Sequence, residues 1–245
     1  MNVIEVNKLS KHFGPFKAVD EISFTVSRGE IFGFLGANGA GKTTAMRMLC
    51  GLSLPTQGEA SVAGFDLYKN AEDIKRNIGY MSQKFSLYDD LTIRENIRFY
   101  GGFYGLDDEQ IKTKTRSMLH QLKLEKDAHK MVKSLPLGWK QKLAFSVALL
   151  HEPQIVFLDE PTGGVDPITR REFWSMIYAA SDNGTTVFVT THYMDEAEYC
   201  HRVSIMVDGK IDAMGSPTDL KEKFSARHMG DVFLKLARKA KRGDE

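Results

Sequence analysis

Apolar and polar side chains alternate over the first 30 residues, the two-residue period of strands with one buried face. Val3-Ile4-Glu5-Val6 and Ile22-Ser23-Phe24-Thr25-Val26 carry the pattern best, with a turn expected around Gly14-Pro15. Ile31-Phe32-Gly33-Phe34-Leu35 is apolar throughout and predicts a buried strand. Residues 44–49 predict a helix, with Gly51 and Pro55 as stop signals. Residues 61–64 and 78–81 read as further short strands.

From 92 to 131 the pattern turns helical and charged, with Gly101-Gly102, Gly105 and Asp107-Asp108 expected as breaks. Residues 140–151 predict a helix that is apolar on most sides and therefore buried, ended by Pro153. Ile155-Val156-Phe157-Leu158 is a short strand of the parallel-sheet kind. Pro167 suits the first position of the next helix, with Asp166 as its cap and Phe173, Ile177 and Ala180 on one face. A strand follows at 186–190, and two more flank Asp208-Gly209, a hairpin signal. The alternation of strands and helices predicts an α/β fold, with a helical insertion at about 84–140. The chain has no internal repeat and no low-complexity segment.

Between the strand ending at Leu35 and the helix from Thr44 lies Gly36-Ala37-Asn38-Gly39-Ala40-Gly41-Lys42-Thr43-Thr44. Gly36, Gly41, Lys42 and Thr43 fill the Gly-x-x-x-x-Gly-Lys-[Ser/Thr] pattern, in the strand, loop and helix order that a phosphate-binding loop requires. Glycines let the backbone turn and its N–H groups approach phosphate oxygens. The helix that opens near Lys42 adds unpaired N–H groups and the positive end of its dipole. Lys42 supplies a point charge for the β- and γ-phosphates, and Thr43 a hard oxygen for Mg²⁺. Asp159-Glu160 follows an apolar strand, which brings both carboxylates to the sheet edge near the loop. Asp159 is expected to hold Mg²⁺ through its water shell, and Glu160 to orient or deprotonate an attacking water, as phosphoryl transfer requires.

Charge and size narrow the reading. The 245 residues allow one substantial core and a subdomain. Lys plus Arg number 33 against 32 Asp plus Glu, a balance that argues against nucleic acid as a partner. Cys50 and Cys200 form no C-x-x-C pair and are expected as free, buried thiols. No apolar run approaches the ~20 residues that span a bilayer, and the start lacks a signal-peptide core, so a membrane role is expected to need a partner chain. From Lys221 the chain is basic, which predicts a solvated helix with a frayed end.

On these residues the chain resembles the ATPase subunit of an ABC transporter over nearly its whole length. The resemblance implies a P-loop NTPase core with an N-terminal antiparallel β subdomain and an inserted α-helical subdomain. It assigns residues 1–220 to this domain and 221–245 to a basic tail. ATP and Mg²⁺ are the implied cofactors. Lys42, Glu160 and His192 are the implied catalytic residues, with His192 on the γ-phosphate. Phe13 matches the aromatic residue that stacks on adenine, and Gln83 the glutamine that senses Mg²⁺ beside Thr43 and Asp159. Asp166 matches a loop that crosses to a second ATPase domain. Phe85, Leu87 and Tyr88 are placed near a groove for the membrane subunit, with ordinary packing of the helical subdomain as the other reading.

The chain departs from the family pattern at Leu135-Pro136-Leu137-Gly138-Trp139, where Leu-Ser-Gly-Gly-Gln is usual. The family's serine hydroxyl and one glycine are absent; Gly138 and the following helix N-terminus remain to face the opposing nucleotide. This implies either a tolerated variant or an asymmetric pair with one degenerate composite site. Residues 91–96, 190–198 and 231–236 resemble a bacterial multidrug-type exporter branch. The implied partners are transmembrane permease subunits and a second ATPase subunit, identical or sister. The implied location is the cytoplasmic face of the inner membrane, reached through the permease. A soluble ABC protein acting on ribosomes or DNA would carry two ATPase halves or a long coiled coil, and this chain shows neither.

Overall fold

The structure, a computed structural model, describes residues 1–83 and 87–242. The chain opens with the hairpin β1 (Asn2–Phe13) and β2 (Phe16–Ser27), followed by β3 (Ile31–Gly36) and α1 (Lys42–Leu49). Next come β4 (Gln57–Val62), β5 (Phe65–Asp66), α2 (Ala71–Asn77) and β6 (Ile78–Met81). The helical insertion holds α3 (Ile93–Phe103) and α4 (Asp108–Gln121), and α5 (Leu137–Ala148) leads back to β7 (Ile155–Asp159). Then follow α6 (Pro167–Asp182), β8 (Thr186–Thr191), β9 (Arg202–Val207), β10 (Lys210–Gly215), α7 (Pro217–Lys223) and α8 (Met229–Arg242).

The hairpin strands are longer than the alternation predicts, because register shifts between Val6 and Leu9 and between Leu9 and Lys11 break the two-residue period. Likewise, β4 lies earlier than residues 61–64, since Ala63 and Gly64 turn with positive φ. Antiparallel pairing gives the first sheet, ordered β2-β1-β4-β5. The second sheet is ordered β10-β9-β3-β8-β7-β6, with only β10 antiparallel among these neighbours. Asp208 and Gly209 both take positive φ in the β9–β10 turn, as the hairpin signal requires.

β3 lies at the centre of the second sheet and is buried along its length. Phe32 and Phe34 face the first sheet, where Phe24 stacks on Phe32 at 5.4 Å and Phe188 packs against both. Ile31 and Leu35 point the other way, into the core shared with the helices. The apolar run is thus explained by burial on two faces, and its end delivers the glycine loop to the sheet's carboxyl edge.

In the insertion, Thr92 and Asp107 build complete capping boxes with Glu95 and Gln110. The expected break at Gly101-Gly102 lies inside α3: a Cβ at Gly101 would stand 2.7 Å from Ile111 Cγ1, so this glycine serves close approach of α4. Gly105, with φ +79, makes the break. The buried helix expected at 140–151 is shifted to Leu137–Ala148, and Pro153 falls beyond its end. Among its described residues the basic tail is not solvated all round. Met229, Val232 and Leu236 of α8 are buried in the main core, because apolar positions spaced three and four apart form a docking stripe. Cys50 and Cys200 are free and buried, as expected.

Candidate nucleotide site

The glycine loop is shaped by close backbone contacts. A Cβ at Gly36 would lie 2.6 Å from the Met206 carbonyl oxygen, and one at Gly41, which has φ +100, would lie 2.2 Å from the Ala18 carbonyl oxygen. Gly41 is also the N-cap of α1 and offers no side-chain acceptor to the first-turn N–H groups. That end of the helix therefore keeps its donors and its positive dipole for an anion. Ala37, Asn38 and Gly39 are exposed, whereas Ala40 is buried and its carbonyl accepts from Gly209 N at 3.1 Å. Lys42 is only 4% exposed, folded back so that its Nζ donates to the carbonyls of Gly36 (2.9 Å) and Ala37 (3.1 Å). Thr43 is exposed and Thr44 half-buried.

The strand end brings the two carboxylates to this loop, as the sequence predicts. Asp159 Oδ1 accepts from Thr43 Oγ1 at 3.2 Å and from Thr190 Oγ1 at 2.6 Å. Burial raises the Asp159 carboxyl above its usual range, opposed by those two hydroxyl bonds. Glu160 lies 3.4 Å from Lys42 Nζ through Oε1. Its Oε2 accepts from Gln83 Nε2 at 3.0 Å and sits 3.0 Å from His192 Nδ1. The His192 contact is close in distance but not aligned as a hydrogen bond. Glu160 adopts φ +49, a strained value for a residue with a side chain, and its N–H bonds both Thr190 O and Thr190 Oγ1 at 3.1 Å. Thus Lys42, Gln83 and His192, distant in sequence, converge on the Glu160 carboxylate.

The remaining expected residues occupy other edges. Phe13 ends β1 at 56% exposure, with Lys11 Nζ over its ring 5.2 Å from the centroid. Asp166 caps α6 by accepting from Ile168 N and Thr169 N, both at 3.0 Å, and also accepts from Thr169 Oγ1 at 2.5 Å. Gly138 sits in the first turn of α5, and a Cβ there would lie 2.3 Å from Thr169 Cγ2. Leu137, Gly138, Gly164 and Asp166 line a common surface cavity of about 620 Å³, set apart from the loop residues above. Leu87 belongs to the helical core at 6% exposure, so it cannot line a docking groove; Tyr88 is half exposed and edge-on to Phe99 at 4.8 Å. Phe85 lies outside the described residues.

Two contributors escape a reading by motif. Thr190 bonds both acidic residues at once, and Gln141 of α5 donates to the Gly163 carbonyl at 3.2 Å, tying α5 to the loop after Glu160. Thr190 stands within the Thr-Thr-His string, yet its role depends on β8 pairing directly with β7 (Asp159 opposite Thr190). Gln141 lies in a helix that reads as apolar and carries no motif of its own.

A glycine loop after a central parallel strand, a capless helix N-terminus, and a carboxylate pair at the carboxyl end of β7, with β8 between it and β3, define a nucleotide-binding ATPase of the P-loop class. The family model described as ABC transporter matches residues 19–163. The chain is 52% identical over 235 residues to "Probable multidrug ABC transporter ATP-binding protein YbhF" of Escherichia coli K12, covering 96% of this chain and 41% of that protein. It is 37% identical to "Nod factor export ATP-binding protein I" of Paraburkholderia xenovorans, covering 89% of this chain and 72% of that one. A solved structure, "Structure of ATP binding subunit of ABC transporter", superposes with a TM-score of 0.85 at 27% identity, covering 96% and 99% of the two chains. The chain belongs to the ABC transporter ATP-binding family.

Proposed function

We propose that this chain hydrolyses ATP to drive an exporter, acting at the cytoplasmic face of the inner membrane through transmembrane permease subunits. The observation that carries the reading is Glu160, whose one carboxylate meets Lys42, Gln83 and His192 beside the glycine loop. In this reading the loop amides and Lys42 bind the triphosphate, and Phe13 takes the adenine. Glu160 holds the attacking water and accepts its proton, and His192 stays on the phosphate side of that carboxylate. The donor set suits Mg²⁺: Thr43 Oγ1 and Asp159 Oδ1 are hard oxygens 3.2 Å apart, with the Gln83 amide on the neighbouring carboxylate. The ion would supply charge neutralisation to the phosphates. Among the described residues no helix is long and apolar enough to cross a membrane, which fits attachment through a partner. The export direction follows the printed names of the relatives, of which the first spans well over twice this chain's length.

The experiment is Glu160→Gln, which should lower kcat at least about 100-fold while ATP still binds. Unchanged turnover would remove Glu160 from the chemistry. A second ATPase subunit, identical or sister, would complete each site across the surface that carries Gly138 and Asp166. Pro136 caps α5 without a side-chain hydrogen bond, where the family has a serine, and this favours an asymmetric pair. ATP turnover by the purified chain alone at ordinary transporter rates would make a sister chain unnecessary.

A further inference from the structure

Glu196 is fully buried at 0% exposure, yet it is no part of the site just described. One of its oxygens accepts from Thr162 Oγ1, and the other accepts from Thr191 Oγ1 at 2.5 Å. Both hydroxyls are themselves buried, at 1% exposure each, so water cannot replace either bond. Arg170 Nε stands 3.6 Å from the carboxylate, too long for a full hydrogen bond but close enough to offset its charge. The same guanidinium lies 4.5 Å from the Tyr193 ring centroid, and its NH1 donates to Asp195 at 3.4 Å.

The positions of these partners give the carboxylate its meaning. Thr162 lies two residues after Glu160 and four before Asp166. Thr191 immediately precedes His192, and its hydroxyl also accepts from Tyr193 N at 3.0 Å. Arg170 belongs to the first turns of α6, the helix that Asp166 caps. A single sealed carboxylate therefore joins the loop leaving β7, the loop leaving β8 and the helix between them. An isolated buried charge is costly, whereas one that receives two hydroxyl bonds and a nearby guanidinium fixes three elements relative to one another.

We propose that Glu196 is a positioning residue that locks the Glu160 loop against the His192 loop and so sets the geometry of ATP hydrolysis. The proposal rests on the hydrolytic reading of Glu160. Among the described residues no side-chain hydrogen bond runs from Glu196, Thr162 or Thr191 to residues 36–44, so loosening this joint should spare the phosphate-binding loop. It should therefore act on the chemical step, where a displacement of about 1 Å can cost roughly 100-fold.

The test is steady-state ATP hydrolysis by the full chain, expressed per ATP-binding site, for Glu196→Gln, Thr162→Val and Thr162→Ser. Thr162→Val keeps the shape and removes the hydroxyl; Thr162→Ser keeps the hydroxyl and removes a methyl group. Positioning predicts that Glu196→Gln and Thr162→Val lower kcat about 10-fold or more, with KM for ATP moving less than about threefold, and that Thr162→Ser stays within about twofold. A packing role predicts the reverse order for valine and serine, and that order would overturn the proposal. So would turnover within about twofold of wild type in both Glu196→Gln and Thr162→Val, or a change confined to KM. Should Glu196→Gln fail to fold, the two Thr162 variants decide the matter. Glu160→Gln, run alongside, separates the two levels: full turnover there defeats the hydrolytic reading, whereas loss there with full turnover in both Glu196→Gln and Thr162→Val defeats only this inference.

Discussion

Lys42 Nζ lies 3.4 Å from Glu160 Oε1, and both side chains are nearly sealed from solvent, at 4% and 9% exposure. The lysine of the glycine loop is thus shared between Glu160 and the carbonyls of Gly36 and Ala37. The other oxygen of the same carboxylate meets Gln83 and His192, so a change at Lys42 bears on all three contacts.

Lys42→Ala should weaken ATP binding at least about 30-fold in titration calorimetry, the scale of a lost charge-assisted contact. It should also lower the stability of the nucleotide-free protein by about 1–3 kcal/mol, because Glu160 stays buried with its cation gone. Adding Glu160→Gln should restore stability but not affinity. If the double variant is no more stable than Lys42→Ala in urea unfolding, the two side chains do not share their charge as described.

His151 offers a pH signature away from the site. Its ring stacks on Tyr104 at 3.7 Å, and its Nε2 lies 3.1 Å from the Ile78 carbonyl oxygen, to which it can donate. Burial lowers its pKa from the ordinary imidazole value to about 4. The folded protein therefore keeps it neutral while the unfolded chain takes a proton near pH 6.5. This contribution is fully present above about pH 6.5 and is lost as pH falls toward about 4, a change of about 1–3 kcal/mol. His151→Phe should retain the stack, start about 1 kcal/mol less stable at neutral pH, and lose less stability on acidification. An equal fall for both proteins between about pH 7 and about pH 4.5 would sink the assignment.

Gly138 is confined by a neighbour rather than by its φ. Its missing Cβ would sit 2.3 Å from Thr169 Cγ2, so Gly138→Ala should push α5 from α6 and cost about 1–3 kcal/mol. Thr169→Ser deletes the clashing methyl group and keeps the hydroxyl that donates to Asp166. The double variant should recover most of the lost stability in thermal melts. No recovery would mean that some other contact holds Gly138.

Local patterns carried much of the fold. The run from Ile31 to Leu35 identified the central strand, because a strand buried on two faces has no room for polar residues. Asp166-Pro167 gave the start of α6, since a side-chain acceptor followed by a residue without an N–H is a local solution to helix initiation. The same local logic missed Gly101, whose helical place depends on Ile111 of the next helix, and the buried stripe of α8, a helix it expected to be solvated. For Leu87 it left a docking groove and packing within the helical subdomain both open, and the structure buries the residue among the helices.

By itself, then, the amino-acid order determined the phosphate loop, the acidic pair after an apolar strand and the alternation of strands and helices, because each is set by neighbours along the backbone. Only the tertiary structure decided that Thr190 bonds both Asp159 and Glu160, that Glu160 gathers Lys42, Gln83 and His192, and that Glu196 joins Thr162 to Thr191. The reason is sheet order. With β8 inserted between β3 and β7, side chains remote in sequence come within a few ångströms at one edge, a proximity that spacing along the chain does not encode.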